Sequence, residues 1–320
     1  MKAAAEPVLR SPCRLCGIDA PQDGDLAEGG ILVLDKPSGP TSHDMVDRVR
    51  HASGLRRVGH AGTLDPLATG VLVILYGRGT RVSPYLAASD KTYRARVRLG
   101  IGTDTDDADG RVVAERPVPD LKPEAIETAL GRFRGTISQV PPVYSAIQRG
   151  GVRDYERARR GQAVHPSARP VTVHRLELLD WAQPDLVLEV ACSAGTYVRA
   201  LARDLGEALE CGGHVASLRR LASGRFRVED TRTWEEMKSA LQSHRWADIA
   251  HPLDEAFLHL KPLVLDDRSA RRLAQGQGVD AKPNASGDVR VYNGNGRFLA
   301  LAMFDAHSGM WRPTKVFGPG

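Results

Sequence analysis

The sequence predicts an α+β protein: a mixed, mainly antiparallel sheet with flanking helices and a cleft along one face, followed by a small β-rich appendage. Three observations carry this. Apolar runs of strand length and stretches of helical period are interleaved along most of the chain rather than segregated. Lys91–Leu99 alternates strictly, with Tyr93, Ala95, Val97 and Leu99 on one face and Thr92, Arg94, Arg96 and Arg98 on the other. Beyond residue 259 the texture changes to short strands around a strong hairpin signal, Asn293-Gly294-Asn295-Gly296.

In order along the chain, residues 1–28 are rich in Ala, Pro, Asp and Gly without periodicity and read as a loose tail. Cys13 and Cys16 in that tail make half a zinc site; Cys192, Cys211 and His214 are poor candidates to complete it, so free thiols are the plainer reading. Residues 31–34 form an apolar strand ending at Asp35-Lys36-Pro37. Thr41 or Ser42 caps a helix with the stripe Met45, Val46, Val49 and Ala52, stopped by Gly54. Residues 71–75 are a buried strand. Ile126, Leu130 and Phe133 mark an amphipathic helix, 186–192 another strand, and 196–209 a helix with Tyr197, Leu201, Leu205 and Leu209 on one stripe. A short helix over 269–274 precedes strands at 288–292 and 297–304. The expected organisation is a tail (1–28), a main domain (29–258) and an appendage (259–320).

Composition narrows the function classes. The 320 residues are 42% hydrophobic, enough for a proper core, and carry a net charge of +5. A moderate basic excess favours polyanionic partners through phosphate contacts. No apolar run approaches the length of about 18 residues that a membrane span needs. Four cysteines are too few for a disulfide framework, which points to a reducing cytoplasm.

The densest punctuation is the run over residues 59–70, with three glycines, His60 and one acid, Asp65, leading into the 71–75 strand. Glycines let the backbone approach a ligand closely, and a loop docked on a rigid strand is where catalytic groups sit. Asp65 precedes a proline, which biases it to extended backbone. An aspartate that merely caps a turn fits the same residues.

This run, GHAGTLDPLATGVL over residues 59–72, closely resembles the catalytic motif of TruB-type pseudouridine synthases. Four more segments agree in order: LDKPSGPTS (34–42), SDKTY (89–93), CSAGTYVR (192–199) and GHVASLRR (213–220). Gly213 and Val198 are minor departures from the family pattern. The resemblance spans about residues 30–320. It implies a pseudouridine-synthase sheet, and a reaction in which the N1–C1′ bond of one uridine breaks, the uracil turns, and C5 bonds to C1′. The uridine it implies is position 55 in the T loop of tRNA, flipped into a pocket. The matching residues make Asp65 the essential carboxylate, Arg199 its partner, and Tyr93 the residue that stacks on the base and is the candidate general base. Tyr197 and Leu218 match residues lining the uracil pocket, and His60 one that engages displaced loop bases. Attack at C1′, addition at C6 and elimination through a glycal all use the same side chains. The resemblance implies no metal, no organic cofactor and no obligate protein partner. The C-terminal segment resembles a PUA-type RNA-binding appendage.

Lys36, Arg94, Arg96, Arg98, Arg149, Arg153, Arg157, Arg159 and Arg160 are the expected phosphate contacts on a basic outer surface. Residues 140–170, with Tyr144 and Tyr155, resemble the family's element that closes over the T arm. A non-catalytic tRNA-folding chaperone is the alternative, since it needs the basic surface but not Asp65. An aspartate-dependent hydrolase lacks a credible second acid. Relatives that work in guide-RNA complexes are disfavoured by the absence of long charged tails. Two signals fail: residues 103–110 suggest a calcium loop but lack its first and last acidic ligands, so an Asx-bonded turn fits better. Residues 36–39 lack the phosphate-loop pattern.

Overall fold

The computed structural model describes residues 29–144, 148–149, 152–153 and 166–317. The tail with Cys13 and Cys16 lies outside these residues, as do Tyr155, Arg157, Arg159, Arg160 and the side chains of Arg149 and Arg153.

The chain divides into a larger unit, residues 32–75 and 80–245, and a smaller one built mainly from residues 246–320. The larger unit is built on one mixed sheet, with two small hairpins beside it. Its strands are β1 (Gly29–Lys36), β2 (Val58–His60), β3 (Thr69–Gly77), β4 (Lys91–Leu99), β5 (Ile101–Thr103), β6 (Val112–Glu115), β7 (Gly135–Gln139), β8 (Gln148–Arg149), β9 (Val152–Arg153), β10 (Arg169–Ala182), β11 (Asp185–Cys192), β12 (Gly213–Ser223) and β13 (Phe226–Arg227). The main sheet runs β1-β3-β12-β4-β11-β10-β7, with β2 and β13 as side branches, while β5–β6 and β8–β9 are separate hairpins. The β4, β7, β10, β11 and β12 pairings are antiparallel; β12 meets β3 in parallel through Arg219↔Thr69 and Arg220↔Gly70.

The flanking helices are α1 (Ser42–Ser53), α2 (Ser83–Ala87), α3 (Pro123–Gly131), α4 (Val198–Ala208) and α5 (Trp234–Gln242). Thr41 is the cap of α1: its hydroxyl accepts from the Asp44 amide, and Asp44 accepts from the Thr41 amide. Gly54 stops the helix at φ 70°. Met45, Val46 and Val49 are buried as the stripe requires. The β4 alternation is also as read, with Lys91 joining the buried face.

Three boundaries differ from the periodicity. Phe133 lies beyond α3, which ends at Gly131. The 196–209 helix begins only at Val198, and Tyr197 stands before it with φ −103° and ψ 111°, extended rather than helical. The 269–274 helix starts earlier, because Asp266 accepts from the amides of Arg268 and Ser269 and caps it.

The smaller unit contains β14 (Ala250–His251), β15 (Lys261–Leu265), α6 (Asp267–Ala274), β16 (Val279–Asp280), β17 (Asp288–Asn293), β18 (Phe298–Asp305) and β19 (Met310–Val316). Its sheet runs β15-β17-β18-β19-β16 over a core of Leu265, Leu273, Val279, Val291, Ala300 and Trp311. Asn293 turns the hairpin, its side chain accepting from the amides of Asn295 and Arg297.

Candidate active site

Asp65 lies on the loop between β2 and β3, and that loop is held almost wholly through its own main chain. Ser42, buried at the start of α1, donates to the Leu64 carbonyl at 3.0 Å and accepts from the Leu64 amide at 2.8 Å. Lys36, at the end of β1, donates to the carbonyls of Pro37, Pro66 and Ala68 at 2.9, 3.0 and 2.8 Å. From the other side Arg220 of β12 donates to the carbonyls of Val71, Thr63 and Gly62 at 2.7, 3.3 and 3.1 Å. Gly70, at φ 97°, lets β3 and β12 meet there: a Cβ at that position would stand 2.2 Å from the Arg220 carbonyl oxygen.

Lys36 therefore sits inside the fold, fully buried, rather than on the basic outer surface where it was expected. The physical reason is that its ammonium finds three carbonyls in place of water. Burial pulls its pKa down to about 8, against the opposing pull of Asp65. Lys91, at the start of β4, donates to the carbonyls of Leu86, Ala87 and Ser89 at the end of α2. Burial, with the nearby charge of Arg220, also lowers its pKa to about 8.

Arg199, 4% exposed in the first turn of α4, faces Asp65 side-on. Its Nη2 donates to Asp65 Oδ1 at 3.0 Å, and its Nε lies 2.9 Å from Oδ2. The same guanidinium donates to the carbonyls of Thr105 and Tyr144 and lies 3.4 Å from the Asp107 carboxylate. Three segments far apart in sequence, at Asp65, Thr105–Asp107 and Tyr144, converge on one cation. Asp107 belongs to the 103–110 turn, where its side chain accepts from the Asp109 amide in the expected Asx manner. Among the described residues no group of His, Cys, Asp or Glu could hold a metal ion.

A cavity of about 230 Å³ opens beside this pair, lined by Gly62, Leu64, Asp65, Lys91, Tyr93, Tyr197, Arg199, Leu218 and Arg220, among others. It thus gathers Asp65, Tyr93, Arg199, Tyr197 and Leu218 of the residues singled out from sequence. His60 lies at the end of β2 and is not among its lining residues; Lys36 is behind the loop. Tyr93 is 9% exposed, and burial pushes its phenol above the ordinary value, an effect the Arg220 guanidinium opposes.

On the outer face of β4, Arg98 pairs bidentately with Asp185 at 2.9 and 2.8 Å and Arg94 reaches Glu189 at 3.5 Å, while Arg96 is exposed. Sequence reasoning missed Asp107, Lys91, Arg220 and Gln139. Lys91 and Arg220 carried a signal only as members of SDKTY and GHVASLRR, not as buried anchors.

Fold and site together define an enzyme that sets one carboxylate against an arginine in an open, aromatic-walled pocket. Residues 50–198 match the TruB family pseudouridylate synthase N-terminal domain. Residues 199–264 match the tRNA pseudouridylate synthase B C-terminal domain, and 262–315 the C-terminal domain of pseudouridine synthase II TruB. Proteins called tRNA pseudouridine synthase B are similar along nearly their whole length. That of Trichormus variabilis is 42% identical, over 91% of this chain and 99% of the relative. That of Thermobifida fusca is 43% identical, over 90% and 98%, and that of Xanthomonas axonopodis pv. citri 41%, over 90% and 94%. Among solved structures, a "Cbf5-Nop10-Gar1 Complex" chain superposes with TM-score 0.71 at 25% identity, covering 93% of this chain and 88% of that one. A chain of an "H/ACA RNP bound to a substrate RNA containing 2'-deoxyuridine" gives TM-score 0.70 at 24% identity, covering 94% and 88%, a likeness of fold. The chain belongs to the TruB family of pseudouridylate synthases, enzymes that isomerise uridine to pseudouridine.

Proposed function

We propose that the substrate is tRNA and the target the T-loop uridine at position 55, with Asp65 as the essential carboxylate. The observation that carries this is the pairing of Asp65 with Arg199 on the wall of a cavity that also holds Tyr93, Tyr197 and Leu218. A carboxylate in a pocket closed by a base must stay ionised although desolvation opposes it, and a guanidinium against both its oxygens supplies that. Tyr93 and Tyr197 offer ring faces to a flipped uracil, and Leu218 an apolar wall.

The reaction is redox-neutral. The N1–C1′ bond breaks, the C5–C1′ bond forms, a proton leaves C5 and a proton is gained at N1. Asp65 supplies the carboxylate, and Tyr93 stacks on the base and takes up the C5 proton as general base, while N1 gains its proton from solvent. Exposed arginines of the β4 face contact phosphates, and residues 259–320 act as an RNA-binding appendage to the catalytic domain of 29–258. The compartment that fits is the cytoplasm; among the described residues no helix is long and apolar enough to cross a membrane.

The test incubates unmodified tRNA transcript with the wild-type protein and with Asp65→Asn, then maps pseudouridine by site-specific chemical detection. Signal at the T-loop uridine with the wild type alone is the expected result. Pseudouridine at another site would overturn the substrate assignment, and equal signal from Asp65→Asn would overturn the role of the carboxylate.

A further inference from the structure

The main chain of Tyr197 is gripped by a buried side chain that the catalytic reading leaves unused. Gln139, the last residue of β7, is 1% exposed. Its Oε1 accepts from the Tyr197 amide at 2.8 Å and its Nε2 donates to the Tyr197 carbonyl at 3.1 Å. The two bonds close a ring between one side-chain amide and one residue's backbone, so they fix both position and orientation. A buried amide is costly unless both ends are paired, and here the pairing is with a single residue of the cavity wall.

A second contact comes from the residue that faces Gln139 across the sheet. Arg169 pairs in register with Gln139 at the first position of β10. Its guanidinium carbon lies 5.1 Å from the centre of the Tyr197 ring, within cation–π range, and its Nη2 donates to the Gly195 carbonyl. One strand pair thus holds Tyr197 twice, by its backbone through Gln139 and by its ring through Arg169. Two residues further on, Arg199 meets Asp65.

An ordinary helix cap would explain a bond to the Tyr197 amide, since α4 has no side-chain cap of its own. It would not explain the second bond, because the Tyr197 carbonyl already receives the Leu201 amide at 3.1 Å. Nor would it explain a cation placed over the ring.

We propose that Gln139 and Arg169 are positioning residues for Tyr197, setting the plane of its ring in the cavity and the start of the helix that presents Arg199 to Asp65. The proposal rests on Tyr197 lining the pocket that receives the base. Neither residue touches the reacting atoms; each acts through Tyr197. A misplacement of about 1 Å in such a site costs on the order of a hundredfold in rate.

The experiment measures single-turnover pseudouridine formation and tRNA affinity for the wild type, Gln139→Leu, Gln139→Glu, Arg169→Met and Arg169→Lys. Gln139→Glu keeps the acceptor and loses the donor, and Arg169→Lys keeps a cation over the ring. Expected are rate losses of about tenfold to a hundredfold for Gln139→Leu and Arg169→Met, with affinity within about twofold of wild type. Arg169→Lys should recover part of the rate. In a Tyr197→Leu background, which removes the ring, Arg169→Met should cost little more. Full activity in Gln139→Glu and Arg169→Met, or losses that simply multiply with Tyr197→Leu, would overturn the proposal. Should Gln139→Leu fail to fold, Gln139→Glu and the Arg169 pair still decide it. A wild-type protein that makes no pseudouridine fails the functional reading instead.

Discussion

At the scale of single residues, the site is a small set of buried cations around one carboxylate. Arg199 has the most direct part, with contacts to Asp65, Asp107, Thr105 and Tyr144. Arg199→Met should lower the rate of isomerisation by about a hundredfold to a thousandfold while leaving tRNA affinity nearly unchanged. Single-turnover kinetics beside filter binding checks this, and near wild-type rates would refute the pairing. Lys36 allows a test by pH. Its folded-state pKa of about 8 lies below the ordinary 10.5, so the unfolded chain holds the proton more tightly. The cost of the buried charge is complete below the folded value. As pH rises from about 8 toward 10.5 the folded protein sheds the proton first, and folding gains. Stability of the wild type should therefore rise relative to Lys36→Met across that window, by at most about 1.4 kcal/mol per pH unit. Urea unfolding of both proteins at about pH 7.5 and 9.5 measures the difference; a wild type that loses stability relative to Lys36→Met as pH rises would contradict it.

At the scale of elements, legibility followed regularity. Helix α1 was readable because cap, stripe and stop residue agree, and β4 because nine residues alternate without a break. Strands β10 and β12 were not readable, although both are long and lie inside the main sheet. Each carries irregularities, at 173/175 and 178/180 in β10 and at 215/217 and 220/222 in β12, and a bulge resets the period that sequence reading depends on. The same physics hid half of the site. Asp65 announced itself through its glycine-rich setting, and the motif resemblance supplied Arg199, Tyr93, Tyr197 and Leu218. A buried lysine or glutamine carries no local mark, because the carbonyls and amides that satisfy Lys36 and Gln139 belong to other segments. The crossing of β3 and β12 gives the prediction at this scale. Gly70→Ala places a methyl against the Arg220 carbonyl on a backbone with φ 97° and should cost about 3 kcal/mol or more. Its thermal unfolding midpoint should fall steeply, and an unchanged midpoint would show that the strands can separate without cost.

At the scale of the whole molecule, charge sets the behaviour toward RNA. With a net charge of +5 the protein should bind tRNA in a salt-dependent way, losing at least about tenfold in affinity between about 50 and 200 mM salt. Arg96→Ala should reduce the slope of log affinity against log salt by about 1. Arg98→Ala should reduce it less, because Asp185 already holds that guanidinium. Binding titrations at four or five salt concentrations separate the two. The loop around Asp65 behaves in another way. Lys36 and Arg220 reach only main-chain oxygens there, those of residues 37, 66 and 68 on one side and 62, 63 and 71 on the other. Every amino acid brings the same carbonyl, so these bonds do not depend on the loop's own side chains, whereas the buried Ala61, Leu64 and Ala68 fill space beside them. A loop built this way can exchange an exposed residue such as Thr63 and still return the carboxylate to the same place.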